Sequence, residues 1–386
     1  MSAMKYVIVR CEDTAPSGNA APLLEGAKAV YLQQLAQAGA GGLIRSGSSK
    51  TPIDRLAIHR GLFGLKANDA AVPPGCCYAA SVNLRLAPEE SVWCCDFVTQ
   101  RDGRVVDTGA GRITTKESAL LIQALSMELG SDARRWEVGH GSHHLLVTHD
   151  ASLKADRRVT THSPDLLIGQ SWTRSLPKQP IGDALKLIME QAVDLLDRHP
   201  VNRVRIDLGE NPANLPWLWG AADATTQPSL QERAGLSAAL LSNHFALRGF
   251  ARALQIDWAQ GPASMEEQPL QRLAQEIVRL SAGHDLVYAH LQVDSADPVE
   301  RLCAIDRMDQ LLLKPLAEQL SRTGDWRLLV ALDDRAEQVV PFVAIGSGLP
   351  RQPVAHARTA ELAGSPLAFS ESADLFAWFT AASRQT

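Results

Sequence analysis

Two short apolar stretches separated by an amphipathic segment open the chain, and this pattern limits the fold more than any other feature. Residues 5–9 form a brief β-rich apolar run followed by polar residues, which predicts a buried parallel strand. Apolar residues at helical spacing predict a helix over 23–38, and residues 42–45 predict a second strand. Strand, helix and strand in this order form the βαβ unit of a parallel sheet, so we expect an α/β fold.

A different pattern begins near residue 79. Residues 81–86 and 91–98 alternate between polar and apolar side chains, and residues 100–107 predict a hairpin with Asp102-Gly103 at its turn. Alternation and hairpins of this kind are typical of antiparallel strands. These residues therefore predict a separate, smaller α+β region.

Strands and helices alternate again after this region. Further strands are predicted over 286–290, 328–332 and 339–346, and further helices over 182–196 and 240–254. We therefore predict two domains: a larger, mainly parallel α/β domain of residues 1–78 and 166–386, and an inserted smaller α+β domain of residues 79–165.

Composition excludes several classes of protein. Of the 386 residues, 45% are hydrophobic and 21% are charged, as in ordinary globular proteins. A net charge of -5 gives no broad positive field, so we expect no binding to nucleic acid. No apolar run reaches the roughly eighteen residues of a membrane helix, and the apolar residues 6–9 are too few for a signal peptide. We expect a cytoplasmic protein with no membrane partner and with its six cysteines reduced.

Acidic residues follow three of the predicted strands. Glu12 follows the first strand, Asp294 follows the strand over 286–290, and Asp333 and Asp334 follow the strand over 328–332. Ligands of open parallel sheets bind beyond the carboxyl ends of the strands, and carboxylates are good ligands for divalent cations. Acidic residues at strand ends also cap helices or face solvent. Both interpretations stay open. A two-metal site would need mixed histidine and carboxylate ligands, and the histidines are not found at these places.

Arginines and asparagines are concentrated between residues 199 and 220. Arg203, Arg205 and Asn214 stand in this block, and guanidinium and amide groups can clamp a phosphate or a carboxylate. Alternatively, Asn214 holds a buried loop in place through hydrogen bonds. The histidines at 140, 143, 144 and 149 form a second dense group. Spacing of this kind can bind zinc, but in a strand His143 and His144 point to opposite faces, which divides the group and favours exposed imidazoles.

Several motifs along the chain together resemble one known family. They include Lys5–Ile8, Ala110–Ile113, His144–Val147, Asn211–Gly220 and Ala304–Asp309. The chain resembles the archaeal-type cofactor-independent phosphoglycerate mutases of the alkaline phosphatase superfamily from its first strand to Pro341-Phe342. This resemblance implies an alkaline-phosphatase-like three-layer α/β/α core with a mainly parallel sheet, a smaller inserted α+β domain, and a serine that takes up the phosphoryl group between two divalent metals.

The residues that this chemistry requires differ here. The resemblance places Arg55 or, one gap away, Ile53 at the position of the family's serine, and neither side chain can accept a phosphoryl group as an alkoxide can. Glu12 stands near the position of the first metal-binding aspartate, and three imidazole ligands implied by the family are replaced. On the substrate side, Arg112, Arg203 and Arg205 match in place, and Asp165 matches another ligand-side residue.

The sequence therefore predicts a divergent relative without mutase catalysis, a pseudoenzyme that acts as a binding or complex-forming subunit, with no catalytic residue and no cofactor expected. It predicts a protein partner or a homo-oligomer. One alternative is an enzyme with a rebuilt site that holds one divalent cation (Mg, Mn or Zn) and acts on a phosphorylated small molecule, with Glu12, Asp294, Asp333 and Asp334 as ligands. The other is a sensor of phosphorylated metabolites that uses Arg112, Asp165, Arg203, Arg205 and Asn214.

Overall fold

The computed structural model describes residues 4–14, 23–45, 55–66, 72–154, 156, 159–224, 227–295, 297–334 and 338–381. The chain divides into two compact units. The first unit comprises Met1–Asp69, Pro228–Asn243 and Gln255–Thr386, and the second comprises Ala70–Gln227 and His244–Leu254.

The strands of the described residues are, in chain order, β1 (Lys5–Asp13), β2 (Ala40–Ile44), β3 (Ser91–Arg101), β4 (Arg104–Asp107), β5 (Arg134–His140), β6 (His143–Thr148), β7 (Leu215–Asp223), β8 (Ala238–Leu241), β9 (Asp257–Ala259), β10 (Leu286–Val293), β11 (Trp326–Leu332), β12 (Val340–Gly346) and β13 (Ala368–Phe369).

The α-helices are α1 (Leu23–Gly26), α2 (Val30–Ala38), α3 (Arg55–Gly61), α4 (Pro74–Ser81), α5 (Thr115–Leu129), α6 (Pro180–Leu196), α7 (Pro200–Asp207), α8 (Leu230–Ala234), α9 (Phe245–Ala253), α10 (Glu267–Gly283), α11 (Pro298–Met308), α12 (Lys314–Leu320), α13 (Thr359–Leu362) and α14 (Ser372–Thr380). A π-helical turn over Asp309–Leu313 joins α11 to α12.

The first unit is built on an eight-stranded sheet of order β13-β2-β12-β11-β1-β10-β8-β9. Strand β1 is central and pairs in parallel with β10 and with β11, and β8 pairs in parallel with β10. Only β12 runs antiparallel to its neighbours β11 and β2 among the described strands. The sheet is therefore mainly parallel, as the βαβ pattern of the sequence predicts.

Side chains of β1 alternate between the two faces of this sheet. Val7, Val9 and Cys11 belong to a large apolar core that also contains buried residues of α2, α10 and α12. Tyr6, on the opposite face, contacts Phe379 of α14 through its ring. Because the side-chain period of a strand is two residues, Arg10 and Glu12 lie on the face of Tyr6, away from the large apolar core.

The second unit is built on a five-stranded antiparallel sheet. Strand β3 pairs with β4, β6 and β7, and β5 pairs with β6. The predicted hairpin is present: Asp102 and Gly103 both have positive φ values, 49° and 73°, at the turn between β3 and β4. The predicted insertion of residues 79–165 lies within this unit, which also includes residues 70–78, 166–227 and 244–254. Residues 215–223 belong to it because β7 pairs along most of β3.

Three local predictions are wrong, each for a physical reason. Residues 81–86 are not a strand, because α4 ends at Ser81 and a turn follows. The helix over 23–38 is interrupted: Ala29 has a φ of 36°, and Asp306 accepts a hydrogen bond from its N–H at 2.9 Å. The helix predicted over 240–254 is shorter: α9 begins at Phe245, because the apolar residues before it form the buried strand β8.

Candidate functional site

A carboxylate and two imidazoles converge at one buried point of the first unit. Glu12 of β1 accepts a hydrogen bond from His59 Nε2 of α3 at 2.7 Å, and its second oxygen lies 3.2 Å from His290 Nε2 of β10. All three residues are 2% exposed. Parallel pairing of β1 with β10 sets Arg10 opposite His290 in register, which brings Glu12 and His290 to the same edge of the sheet.

Burial and hydrogen bonding determine the charges in this cluster. Burial opposes the ionised form of Glu12, but the imidazoles of His59 and His290 hold its pKa well below the usual range for glutamate. Burial lowers the pKa of His59 to about 4, although Glu12 opposes this shift. At neutral pH, Glu12 is therefore a carboxylate and His59 is a neutral imidazole that donates from Nε2.

Guanidinium groups surround the neighbouring carboxylates. Arg10, which is fully buried, makes an ion pair with Asp333, and its guanidinium lies 4.0 Å from Glu12. Burial lowers the pKa of Arg10, but Asp333 and Glu12 more than offset this and raise it above the ordinary value. Arg55 reaches the same aspartate, with 3.4 Å between its Nε and Asp333 Oδ2, and it donates to the carbonyl of Asp13 at 2.8 Å.

Asp334, another of the predicted metal ligands, is buried and accepts a hydrogen bond from Thr359 at 2.5 Å. Asp294 is exposed and lines a cavity of about 470 Å³ in the first unit, which His290 also borders. Asp13, on the opposite face of β1, makes a buried ion pair with Arg301 of α11. Of the predicted metal ligands, only Glu12 therefore lies beside imidazole donors.

Arg55, which the resemblance places at the position of the family's serine, lies at the start of α3 and is bound to Asp333 and Asp13 as described above. Its side chain is 21% exposed. The alternative position, Ile53, lies outside the described residues. The guanidinium of Arg55 therefore occupies the space between the ends of β1 and β11.

Two of the predicted ligand-binding residues are engaged within the second unit. Arg205, 2% exposed, donates to the carbonyls of Asn211, Ala110 and Gly111, and it also makes an ion pair with Glu117 at 2.8 Å. Its donors hold the loop that contains the strained residue Ala110, whose φ is 46°.

Asn214 has a comparable position. Its amide accepts from the N–H of Gln100 at 2.9 Å and donates to the carbonyl of Gln100 and to Asp197. This is the loop-holding interpretation that the sequence left open. Arg112 and Arg203 are exposed, and Asp165 is half-buried.

The histidines of β6 have separate roles, as the alternation of a strand predicts. His144 is fully buried, accepts from the N–H of Gly139 and donates to the carbonyl of Gly141, and burial lowers its pKa to about 3. His143 points to the other face and contacts the buried carboxylate of Asp96, with 2.7 Å between His143 Nδ1 and Asp96 Oδ1.

Asp96 is a fully hydrogen-bonded buried carboxylate. Besides the contact with His143, it accepts from Trp219 Nε1 at 2.6 Å and from the hydroxyl of Tyr78 at 3.0 Å. Burial lowers the pKa of His143, but Asp96 and Asp165 raise it above the ordinary value for histidine. The pair with Asp96 fixes the orientation of the His143 side chain, which remains 30% exposed.

The sequence did not single out His59 or His290 as site residues. A signal for His290 is its position in an otherwise apolar strand, where a polar residue needs a buried partner. No comparable signal marks His59, because its contact with Glu12 depends on where α3 packs on the sheet. Its ring lies 4.8 Å from that of His290.

The resemblance implies a pair of divalent cations at this edge of the sheet. A pair does not fit, because Asp333 and Asp13 are neutralised by Arg10, Arg55 and Arg301. One cation fits the remaining donors: the ligand atoms of Glu12, His59 and His290 all lie within 4.8 Å of one another. Two imidazoles and a carboxylate are a familiar donor set for transition metals.

Comparison with known proteins identifies related sequences. Residues 36–202 match the family model of 2,3-bisphosphoglycerate-independent phosphoglycerate mutase. The 2,3-bisphosphoglycerate-independent phosphoglycerate mutase of Methanothrix thermoacetophila is 30% identical over 290 residues, which cover 70% of this chain and 71% of the relative. A probable enzyme of the same name from Geobacter sulfurreducens is 25% identical over 371 residues, covering 88% of this chain and 90% of the relative.

Solved structures agree on the fold. The cofactor-independent phosphoglycerate mutase of Thermoplasma acidophilum superimposes with a TM-score of 0.56 at 22% identity, covering 97% of this chain and 99% of that one. A protein of Pyrococcus horikoshii superimposes with a TM-score of 0.65 at 18% identity, covering 98% and 97%. Within the described residues, no helix has both the length and the apolar character needed to cross a membrane.

Proposed function

Because the chain belongs to the family of 2,3-bisphosphoglycerate-independent phosphoglycerate mutases, we propose that it is a member without mutase catalysis that serves as a binding or complex-forming protein. The observation that carries this proposal is the double ion pair at Asp333, whose carboxylate is bound by both Arg10 and Arg55. Guanidinium groups of the protein itself take the place of divalent cations at this carboxylate.

The balance of charge supports this proposal. Phosphoryl transfer between two metal ions needs carboxylates that are open to cations and a nucleophile beside them. Here the guanidiniums of Arg10 and Arg55 face Glu12 and Asp333. On the opposite side of β1, Arg301 pairs with Asp13, so the formal charges of the three carboxylates are cancelled.

Admitting a cation at Asp333 would require Arg10 to leave. Arg10 has no exposed surface, and it donates a further hydrogen bond to the carbonyl of Cys11 at 2.9 Å. Separating a buried ion pair costs about 3–5 kcal/mol, because one charge remains buried without compensation. A cation must offset this cost before any binding is observed, so we expect the arginine pairs to persist in the presence of Mg²⁺ or Mn²⁺.

The binding role that we propose has its supporting residues in the second unit. Arg112 and Arg203 are exposed, whereas Arg205 and Asn214 hold the backbone of the neighbouring loops. Exposed guanidiniums can recognise the phosphoryl group of a small molecule or an acidic surface of a protein partner.

Mutase turnover is the test of the proposed function. The purified chain would be assayed for interconversion of phosphoglycerates with Mg²⁺, Mn²⁺ or Zn²⁺ and after chelation, beside the relative from Methanothrix thermoacetophila as the positive control. We expect no turnover above the chelated blank. Turnover that depends on metal and is lost in Asp333→Ala would contradict the proposal.

The binding role is tested separately. Thermal unfolding would be followed with phosphoglycerate and with inorganic phosphate, since a ligand that binds the folded state raises its stability. We expect a rise in the unfolding temperature that is reduced in Arg203→Ala and is unchanged in Arg174→Ala, which alters another exposed arginine of the second unit. Stabilisation by neither compound, together with a monomer that captures no second copy, would contradict a binding role.

A further inference from the structure

His59 and His290, which both face Glu12, each have a hydroxyl group at the other ring nitrogen. A buried network that only neutralised Glu12 would not need these two hydroxyls. His59 Nδ1 lies 2.6 Å from the hydroxyl of Tyr288, and His290 Nδ1 lies 2.9 Å from the hydroxyl of Ser242. Each imidazole therefore directs Nε2 at Glu12 and has a hydroxyl behind it at Nδ1.

A hydroxyl group can either donate or accept a hydrogen bond. When each imidazole carries its proton at Nε2, the hydroxyls of Tyr288 and Ser242 donate to Nδ1, and the Nε2–H groups face Glu12. If each imidazole proton moves from Nε2 to Nδ1, the same two hydroxyls accept hydrogen bonds from the Nδ1–H groups, and the lone pairs of both Nε2 atoms face the carboxylate. Histidines that bind metals need a partner of this kind at the other ring nitrogen, because it fixes the tautomer and the ring orientation.

We propose that Glu12, His59 and His290 bind a single transition-metal ion of the zinc class. This inference rests on the proposed function, because the arginines that remove the second cation site also limit this one to a single ion. Two imidazole nitrogens and one carboxylate oxygen suit Zn²⁺ or Co²⁺, whereas Mg²⁺ prefers oxygen ligands and water. The set also differs from the one that the sequence predicted, since Asp294, Asp333 and Asp334 take no part.

Two features of the surroundings define how this site behaves. Arg10, 4.0 Å from Glu12, provides a fixed positive charge on one side, which repels a second cation and weakens the binding of the first. His290 borders the cavity of about 470 Å³ described above, which gives the ion and its remaining water ligands a route to this histidine. We therefore expect moderate affinity and a stoichiometry of one ion per chain.

Metal binding by the full-length chain tests this inference directly. Protein freed of metal with a chelator would be titrated with Co²⁺, whose visible absorption reports a site with nitrogen ligands, and then with Zn²⁺ in competition. Elemental analysis after gel filtration gives the number of zinc ions per chain. We expect one zinc per chain and displacement of cobalt by zinc.

Three variants show which residues hold the ion. His290→Gln removes an imidazole ligand and should weaken zinc binding at least tenfold. Ser242→Ala keeps all three donors and alters only the hydroxyl at Nδ1, so we expect a loss of about tenfold, as for other groups that orient metal ligands. His143→Asn changes a hydrogen-bonded histidine of the second unit and should leave affinity unchanged.

Circular dichroism of the metal-free proteins establishes that each variant is folded, and Ser242→Ala provides the test if His290→Gln does not fold. The inference would be overturned if the protein bound no zinc or bound two ions per chain. It would also be overturned if wild type, Ser242→Ala and His290→Gln all bound zinc with equal affinity. The result is separable from the mutase assay: zinc binding without turnover supports both proposals, turnover contradicts only the proposed function, and failure to bind zinc contradicts only this inference.

Discussion

Replacing Asp333 with alanine distinguishes an aspartate that neutralises arginines from one that binds metal. In the structure Asp333 is 2% exposed and is bound by Arg10, which has no exposed surface, and by Arg55, whose side chain is 21% exposed. Among the residues that the structure describes, removing the carboxylate leaves Arg10 buried with Glu12, 4.0 Å away, as its remaining ion-pair partner. Arg55 can move toward solvent and recover hydration.

The expected cost follows from these exposures. Breaking a buried ion pair by removing one partner destabilises a protein by about 3–5 kcal/mol. Because Glu12 remains close and Arg55 is partly exposed, we expect a value near the lower end, about 3 kcal/mol. Asp374→Ala is the matched control: its pair with Lys66, 3.6 Å long, is exposed at both ends, and exposed pairs contribute about 0–1 kcal/mol.

Equilibrium unfolding in urea of the metal-free proteins measures both values. The double variant Arg10→Met with Asp333→Leu removes the whole buried pair, and we expect it to recover most of the lost stability, since apolar replacements of buried pairs are often neutral or stabilising. The reasoning is refuted if Asp333→Ala unfolds within about 1 kcal/mol of wild type and at the same time abolishes a stabilisation by Mg²⁺ or Mn²⁺ that wild type shows.

Three further predictions concern the packing and the charges. Gly249→Ala should destabilise by about 1–3 kcal/mol, because a Cβ there would lie 1.7 Å from the carbonyl of Cys77, whereas Gly283→Ala, with nothing within 4 Å, should be neutral or stabilising in thermal unfolding. Arg205→Ala should lower the unfolding temperature while Arg203→Ala does not; equal effects would refute the loop-holding role. Finally, the pKa of His144 is about 3 in the folded state, so the unfolded state binds a proton first as the pH falls below 6.5. The free energy of unfolding that is present above that pH is therefore lost on acidification, by about 2 kcal/mol at pH 5. His144→Gln should flatten this pH dependence in unfolding curves.

The central strands of the fold could be predicted because their signal is local. β1, β10 and β11 each contain a short apolar run, which is typical of buried parallel strands, and all three include the stretches that the sequence predicts, although β1 continues to Asp13 and β10 to Val293. The bounds of the second unit could not be found in the same way. Residues of β7 pair with β3 more than a hundred positions earlier in the chain, and no local pattern records such a pairing.

The candidate site was predictable only in part for a similar reason. Glu12 and Asp333 stand at strand ends, where a search for ligands naturally begins, and Arg55 is visible as an unusual residue at a family position. Whether these charges meet each other or a metal depends on the order of strands in the sheet. The contact of His59 with Glu12 joins residues 47 positions apart and depends on how α3 packs, which the residues alone do not specify.

The central position of β1 has a consequence for the synthesis of the chain. β1 leaves the ribosome well before its partners β10 and β11, which begin at Leu286 and Trp326. At about 5–20 residues per second, the first strand waits roughly 15 to 55 s for a neighbour. During that time its apolar residues are exposed to chaperones and to other nascent chains. Slower translation of the codons between β1 and β10 therefore lengthens the period in which this protein is prone to aggregate.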